Sequence, residues 1–267
     1  MSNDTSGPVE TLRFIDEQLV LNRLLVALPA SDFNRIVPTL SSFPSAARQV
    51  LQEHGKPIES VFFPNGCVAS MTTLMEDGGM VEVATIGREG MVNVTALFLD
   101  RAAVGEVMVQ VPNGVIFGMP VMAFREEIDR GGPFRELVNR YSQAFLFQSM
   151  RATACNALHQ LEHRCARWLL ETRDRVGADE FSLSHEFLSI MLGVHRPTVT
   201  VALGTLHRAG FINSRRGTIR VLDACGLEQA SCECYRAIRT HFESVGLYPV
   251  LANGKVSDRL EERDTVG

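Results

Sequence analysis

Residues 186–223 read EFLSIMLGVHRPTVTVALGTLHRAGFINSRRGTIRVLD, and glycine and proline divide the run into recognisable pieces. Ahead of it Ser184 stands where a helix N-cap belongs, and Phe187, Leu188, Ile190, Met191 and Leu192 follow at helical spacing until Gly193 stops the pattern. After Val194, His195 and Arg196 a second helix is predicted from Pro197 to Ala209, closed by Gly210. Its proline falls in the first turn, where a missing N–H matters least. Phe211-Ile212 and Ile219 to Leu222 then flank Asn213-Ser214-Arg215-Arg216-Gly217, the pattern of a two-stranded ribbon with a basic tip. Helix, glycine turn, helix and ribbon together describe a winged helix-turn-helix. The segment before it, Leu158 to Arg173, reads as a supporting helix with Leu161, Cys165, Trp168 and Leu169 turned inward, followed by a turn from Val176 to Glu180.

No acidic residue occurs between Phe187 and Leu222, yet Arg196, Arg208, Arg215, Arg216 and Arg220 all lie there, in a chain whose net charge is −5. That balance argues against wholesale electrostatic binding of nucleic acid and for a local basic patch. Arg196, with His195 beside it, opens the second helix, where an arginine reaches guanine O6 and N7 or a phosphate and the helix N-terminus attracts anions. Thr198 and Thr200 offer hydroxyl or methyl contacts, and Arg215 and Arg216 offer phosphate contacts from the ribbon. The bland alternative is a set of solvated charges and an ordinary basic turn. The order of the motif weighs against it.

Outward from this region, Phe134 to Leu158 contains neither proline nor glycine and places Leu137, Val138, Tyr141, Phe145, Leu146, Met150 and Ala154 along one helix. Such a helix is either a buried spine of one subunit or a helix that pairs with its copy; its length favours pairing through Leu137, Tyr141 and Phe145. Between Ile58 and Met119 the pattern changes to short β-rich segments separated by Pro64-Asn65-Gly66, Asp77-Gly78-Gly79, Gly87 and Pro112-Asn113-Gly114. These imply a small antiparallel roll or sandwich, with one open sheet as the alternative. Two short helices are expected from Val20 to Ser42, interrupted at Pro29 with Ser31 as N-cap, and Met1 to Glu10 reads as a loose polar tail without the features of a secretory signal. The 267 residues, 45% hydrophobic and 21% charged, suit a folded protein of one large or two smaller domains. No apolar run approaches the roughly 20 residues of a membrane span, so a cytoplasmic location with no membrane partner is expected.

The segment from Glu186 to Asp223 resembles the DNA-binding region of Crp/Fnr-type bacterial transcription regulators. The order of roll and long helix is also theirs, so the resemblance covers roughly residues 20 to 225. It implies an α+β fold: an antiparallel β-roll of the cyclic-nucleotide-binding kind, a long dimerisation helix and a C-terminal winged helix-turn-helix. The corresponding divisions are a flexible tail (1–19), a sensor-like roll (20–132), the dimerisation helix (133–158), the DNA-binding domain (159–225) and a C-terminal extension (226–267) that resembles nothing familiar. It further implies a non-enzymatic homodimer on a two-fold symmetric operator in double-stranded DNA, with RNA polymerase as a further partner. Family members commonly open the recognition helix with Arg-Glu-Thr-Val and a second Arg two positions on. Here Arg196, Pro197, Thr198 and Val199 are followed by Val201, so Arg196 carries over and operator sequence does not.

The roll departs further. Cyclic-nucleotide binders of the family use a Gly-Glu pair for the ribose and an Arg followed by Ser or Thr for the cyclic phosphate. The corresponding positions here hold Asn93 and Val94, then Val104 and Gly105. Cyclic AMP and cyclic GMP are therefore not expected as effectors. Arg101, three residues away, reads as a solvated loop residue, and Glu89 as a turn residue. Around Met91, Asn93, Val94, Arg101, Val104 and Gly105 the roll holds either a filled core or a pocket for a small apolar effector whose identity is unknown.

Cofactor chemistry has little support in the sequence. The iron–sulfur members carry an N-terminal cysteine cluster, whereas the six cysteines here begin at Cys67. His54 is a haem ligand by residue type only and reads as a surface residue beside Gly55 and Pro57. Cys155, His159 and His163 share a helix face with Cys165 off it, while Cys232 and Cys234 read as exposed reduced thiols, so no metal and no cofactor is expected. No hydrolase, metalloprotease or nucleotide-binding signature occurs. The competing reading is a protein-interaction module built on a winged helix that has lost DNA binding.

Overall fold

Asp16 and Glu17 adopt left-handed backbone conformations, with φ of 48° and 64°, and turn the chain between Phe14–Ile15 (β1) and Gln18–Leu19 (β2). The computed structural model describes residues 12–76, 79–98 and 102–248. The expected tail therefore stops short of residue 19: Ile15 is buried, and the Arg13 guanidinium donates to the carbonyls of Leu25 and Leu28. Two short helices follow, Arg23–Val26 (α1) and Ala30–Ile36 (α2); Pro29 occupies the N-cap position of the second, and Ser31 falls inside its first turn.

The β-rich region forms two antiparallel sheets. Ser41–Pro44 (β3), Val50–Gln52 (β4), Ser60–Asn65 (β5), Val68–Leu74 (β6), Met80–Ile86 (β7), Glu106–Val111 (β8) and Val115–Pro120 (β9) pair in the orders β3-β9-β5 and β4-β8-β6-β7. Phe43, Phe62 and Ile116 of the first sheet meet Leu51 and Val109 of the second, which closes the roll rather than leaving one open sheet. The other face of the first sheet, with Val61, Phe63, Phe117 and Met119, packs on α1, α2 and the helices that follow the roll.

Val121–Arg130 (α3) ends at Gly131, whose φ of 77° is open to glycine. Pro133–Leu158 (α4) runs for 26 residues and Leu161–Val176 (α5) for 16. Beyond them Glu180–Ser182 (β10), His185–Leu192 (α6), Arg196–Arg208 (α7), Ile212–Arg215 (β11) and Thr218–Val221 (β12) complete the winged helix, its sheet ordered β10-β12-β11. The extension is structured: Ala224–Ala230 (α8) and Cys234–Ser244 (α9) fold back, with Ile238 and Phe242 of α9 in the same core as Phe134, Val138 and Tyr141 of α4.

The second sheet of the roll is covered by the winged helix. Val68 and Val111 join Trp168, Leu169, Leu188 and Met191 in one apolar cluster, and a buried polar seam runs beside it. Arg175 of α5 donates through Nε to Glu89 at 2.8 Å and through a terminal nitrogen to Gln148 of α4 at 3.1 Å. Gln148 in turn donates to the carbonyl of Thr85 at 2.8 Å. The turn that carries Glu89 is fitted to both helices: a Cβ on Gly87 would lie 2.5 Å from Arg175, and one on Gly90 2.2 Å from the Tyr141 ring. Glu89, read as a turn residue, is thus a buried ion-pair partner as well.

Glu82 of β7 accepts from Trp168 Nε1 at 3.0 Å and from the Ser70 hydroxyl, with Arg167 and Glu171 nearby. Burial is the largest influence and raises its carboxyl from 4.5 to about 7. A carboxyl raised on folding contributes stability below its unfolded value and loses it as pH rises towards its folded one. Between about pH 4.5 and 7 the native state should therefore lose stability at this site. In thermal or urea melts Glu82→Gln should be more stable than the parent at pH 8, by about 1 to 3 kcal/mol, with the difference shrinking towards pH 5. A difference that does not change with pH would remove Glu82 as the titrating group.

Candidate nucleic-acid interface

The reading geometry is set by caps. Ser184 accepts from the Phe187 N–H at 3.1 Å to start α6, and Gly193, at φ 63°, ends it with its N–H on the carbonyls of Ile190 and Ser189. The chain then leaves at 105° into α7. Val199, Ala202, Leu203 and Leu206 of α7 face inward, packing with Leu188, Met191, Ile212, Ile219 and Val221. That anchoring leaves His195, Arg196, Thr198, Thr200, Val201, Thr205 and Arg208 exposed.

The ribbon turns through Arg216 at φ 45° and Gly217 at φ 81°, the paired left-handed geometry of a tight two-residue hairpin. Arg215 closes β11 and Arg216 occupies the tip, both exposed, as is Arg220 on β12. Among the described residues none of Arg196, Arg208, Arg215, Arg216 and Arg220 forms a salt bridge, whereas buried Arg167, Arg175 and Arg239 each meet a carboxylate. The five exposed guanidiniums are therefore available to phosphate.

His185 escaped the sequence reading. Its Nδ1 lies 3.0 Å from the Thr200 hydroxyl and its Nε2 3.4 Å from that of Ser214, so one ring joins the recognition helix to the wing. Burial, then the charge of Arg196, lowers its pKa below the usual histidine value, so it stands neutral at pH 7. No local sequence signal marks it, because its partners are 15 and 29 residues away.

The residues assigned to the roll interior are mostly together. Met91, Asn93, Val94, Val104 and Gly105 line one cavity with Met71, Ile86, Val107 and Phe145; Arg101 lies outside the described residues. About 20 Å³ is open there to the centre of a water molecule, enough for one or two waters. Asn93 is held by Gln52 Oε1 at 3.0 Å and the Ser60 carbonyl at 2.8 Å. His54 is exposed.

Two expectations need correction. Leu137 and Tyr141 face the protein's own core, where the Tyr141 hydroxyl donates to the Met91 carbonyl at 3.0 Å, and Phe145 is half-buried against the roll. Leu137 and Tyr141 are closed to a partner subunit while so packed, and Phe145 is half open. The opposite face of α4 is the exposed one, with Leu146 and Met150 at 62% and 64% exposure. Cys232 and Cys234 are buried, because α9 folds back against the end of α4.

Residues 163–230 match the Crp-like helix-turn-helix domain. The transcriptional regulator SdrP of Thermus thermophilus is 28% identical over 160 residues, covering 57% of this chain and 79% of that protein. The structure of FixK2 from Bradyrhizobium japonicum superposes with a TM-score of 0.62 at 16% identity, over 72% of this chain and 98% of that one. A CRP-family transcriptional regulator from Thermus thermophilus gives 0.59 at 18% identity, over 72% and 96%. Among the described residues no single helix is long and apolar enough to cross a membrane.

Proposed function

From the premise that this chain is a Crp/Fnr-type transcription regulator with a helix-turn-helix DNA-binding domain, we propose that it works as a homodimer on a two-fold symmetric operator, without cyclic nucleotide. The observation that carries the reading is that the segment 187–222 contains no acidic residue while its five arginines, along α7 and the wing, are all exposed. Arg196 reads a base edge or grips a phosphate at the helix N-terminus, His195, Thr198 and Thr200 flank it, and Arg215 and Arg216 hold the backbone from the wing. RNA polymerase is the further partner that a regulator on a promoter would meet, and the place of action is the cytoplasm.

Selection from random duplexes should return a palindromic site. Against that site, Arg196→Ala should cost about 1 to 3 kcal/mol and relax discrimination if it reads a base, whereas Arg216→Ala should weaken all sequences alike and reduce the salt slope by about 1. A failure to enrich any duplex, with no salt-dependent binding, would favour the protein-interaction module instead.

Pairing of two chains is supported by the outward face of α4. Asn139, Gln143, Leu146, Met150, Thr153 and Ala157 are all exposed and recur at alternating steps of four and three, the seam spacing of paired helices. Leu146→Glu combined with Met150→Glu should convert a dimer to a folded monomer in size-exclusion chromatography with light scattering. A dimer that survives both changes would place the interface on another surface.

The cavity around Met91 and Asn93 argues for packing at the position where a cyclic nucleotide would sit, while a more open cleft of about 370 Å³ lies elsewhere on the roll, along Val50, Gln52, Lys56, Glu59 and Phe62. Drug-sized and cofactor pockets run to about 300 Å³ and more, and a cyclic phosphate enclosed around Met91, with no cationic partner among the described lining residues, would cost several kcal/mol. Calorimetric titration with cyclic AMP and cyclic GMP to millimolar concentration should give no saturable heat; saturable binding by either would overturn this part of the reading.

A further inference from the structure

The four side chains Cys155, His159, Cys232 and Cys234 bring one donor atom each to a common point, all within 4.8 Å of one another. Cys155 Sγ and Cys232 Sγ are 3.5 Å apart, and Cys234 Sγ is 3.7 Å from His159 Nδ1. Around a tetrahedral zinc, with bonds of about 2.3 Å to sulfur and 2.0 Å to nitrogen, ligand atoms stand about 3.5 to 3.8 Å apart. We propose that these residues form a closed Cys₃His site for a single divalent zinc-like ion, which fastens the C-terminal extension to the end of the long helix.

The sequence makes the arrangement from two short pieces. Cys155 and His159 lie one helical turn apart at the end of α4, where His159 is the C-cap residue. Cys232 and Cys234 bracket the reversal between α8 and α9, a Cys-x-Cys pair whose two thiols return to the same spot. The whole winged helix lies between the two pieces, so one ion would tie its entry to its exit.

The surroundings suit a metal ligand set. His159 Nε2 is 3.2 Å from the Glu233 carboxylate. A proton held on Nε2 by that contact leaves the Nδ1 lone pair facing the three sulfurs, the arrangement in which an outer carboxylate orients a metal-bound histidine. Three thiolates and a neutral imidazole on a divalent ion leave one negative charge. The guanidiniums of Arg164 and Arg167, both buried, are close enough for their charge to act on Cys155. With three thiolates and one histidine the coordination is complete, leaving no position for a substrate or a catalytic water. Each thiol would give its proton to solvent as the ion binds, with no change of oxidation state.

A disulfide is the competing chemistry, because Cys155 and Cys232 are neighbours. It would consume two of the four donors and leave Cys234 and the oriented histidine without a role. The site is argued from its own donors and stands whether or not the chain binds DNA.

Metal analysis of the full-length protein purified under reducing conditions, then loaded with zinc and dialysed, should find one equivalent per chain. Replacement by cobalt(II) should give the intense visible bands of a tetrahedral ion and thiolate-to-cobalt charge transfer in the near ultraviolet. Cys234→Ser should lower that charge transfer by about a third and weaken binding, while Cys67→Ser and Cys225→Ser, remote from the cluster, should leave both unchanged. Removing zinc with a strong chelator should speed hydrogen exchange across residues 224–248. If the variants fail to fold, the cobalt spectrum of the unaltered chain decides. Substoichiometric metal together with an octahedral or featureless cobalt spectrum would overturn the proposal, as would a Cys155–Cys232 disulfide in mass spectra of the freshly isolated protein.

Discussion

The ion pair between Arg175 and Glu89 has no access to water on either side, and the placement of the winged helix on the roll turns on it. Both side chains are 1% exposed, so each charge depends on the other and on the groups around them: Glu171 and Gln148 on the arginine, the Gly87 N–H on the carboxylate. Taking two ions out of water costs several kcal/mol per ion. A pair of this kind is tolerated only when geometry and extra hydrogen bonds compensate, and removing one partner leaves the other stranded. These groups come from three bodies: Arg175 and Glu171 from α5, Gln148 from α4, and Gly87 and Glu89 from the turn after β7. Sliding any one of them breaks a contact in the other two, so the pair fixes a position more than it adds net stability.

Once α5 is fixed, the rest of the reading head follows by contact. Trp168, one face of the helix away, lays its indole N–H on Glu82, and Arg239 and Tyr235 of α9 close on Asp174 from the outer side, at 2.5 and 2.8 Å. The extension therefore works as a clasp: α9 touches the core shared by α4 and the roll with Ile238 and Phe242, and α5 with its polar residues. Coupling between sensor and reader in such an assembly would act through this seam, where the ionisable groups are concentrated. The cavity around Met91 and Asn93, with space for little more than a water molecule, has few ways to move in response to a ligand.

Local signals made the winged helix legible in the sequence. Gly193, Gly210 and Gly217 each occupy positive φ at the boundary where the pattern stopped, and Ser184 caps where a serine before an apolar run should. The strands from Ile58 to Met119 were legible for the same reason, since turn residues and alternation are short-range. What the sequence concealed is long-range or non-standard. The β1–β2 turn uses Asp16 and Glu17 at positive φ, without the glycine that would have announced it. Arg175 and Glu89 are 86 residues apart, and nothing local distinguishes a charge bound for the interior from one bound for water. On α4 the apolar positions wrap too far around the helix to show which stripe faces the core. Tyr141 looked like an interface residue, yet it fills the space left by Gly90. The cluster around Cys155 needed the return path of a segment with no familiar pattern.

An acidic protein can present a DNA-binding face because charge acts over a limited distance. At physiological ionic strength the screening length is about 8 Å, so carboxylates farther than that from the recognition helix contribute little there. What matters is the local inventory. The chain has sorted its arginines accordingly: Arg167, Arg175 and Arg239 are buried against carboxylates. Arg196, Arg208, Arg215, Arg216 and Arg220 are exposed on a surface whose own segment contains no acid. A guanidinium without a carboxylate partner keeps most of its hydration until a phosphate arrives, and its binding then releases a counterion from the nucleic acid. The net charge of −5 and the basic face are therefore compatible, the first governing solubility and long-range repulsion at low salt and the second governing contact.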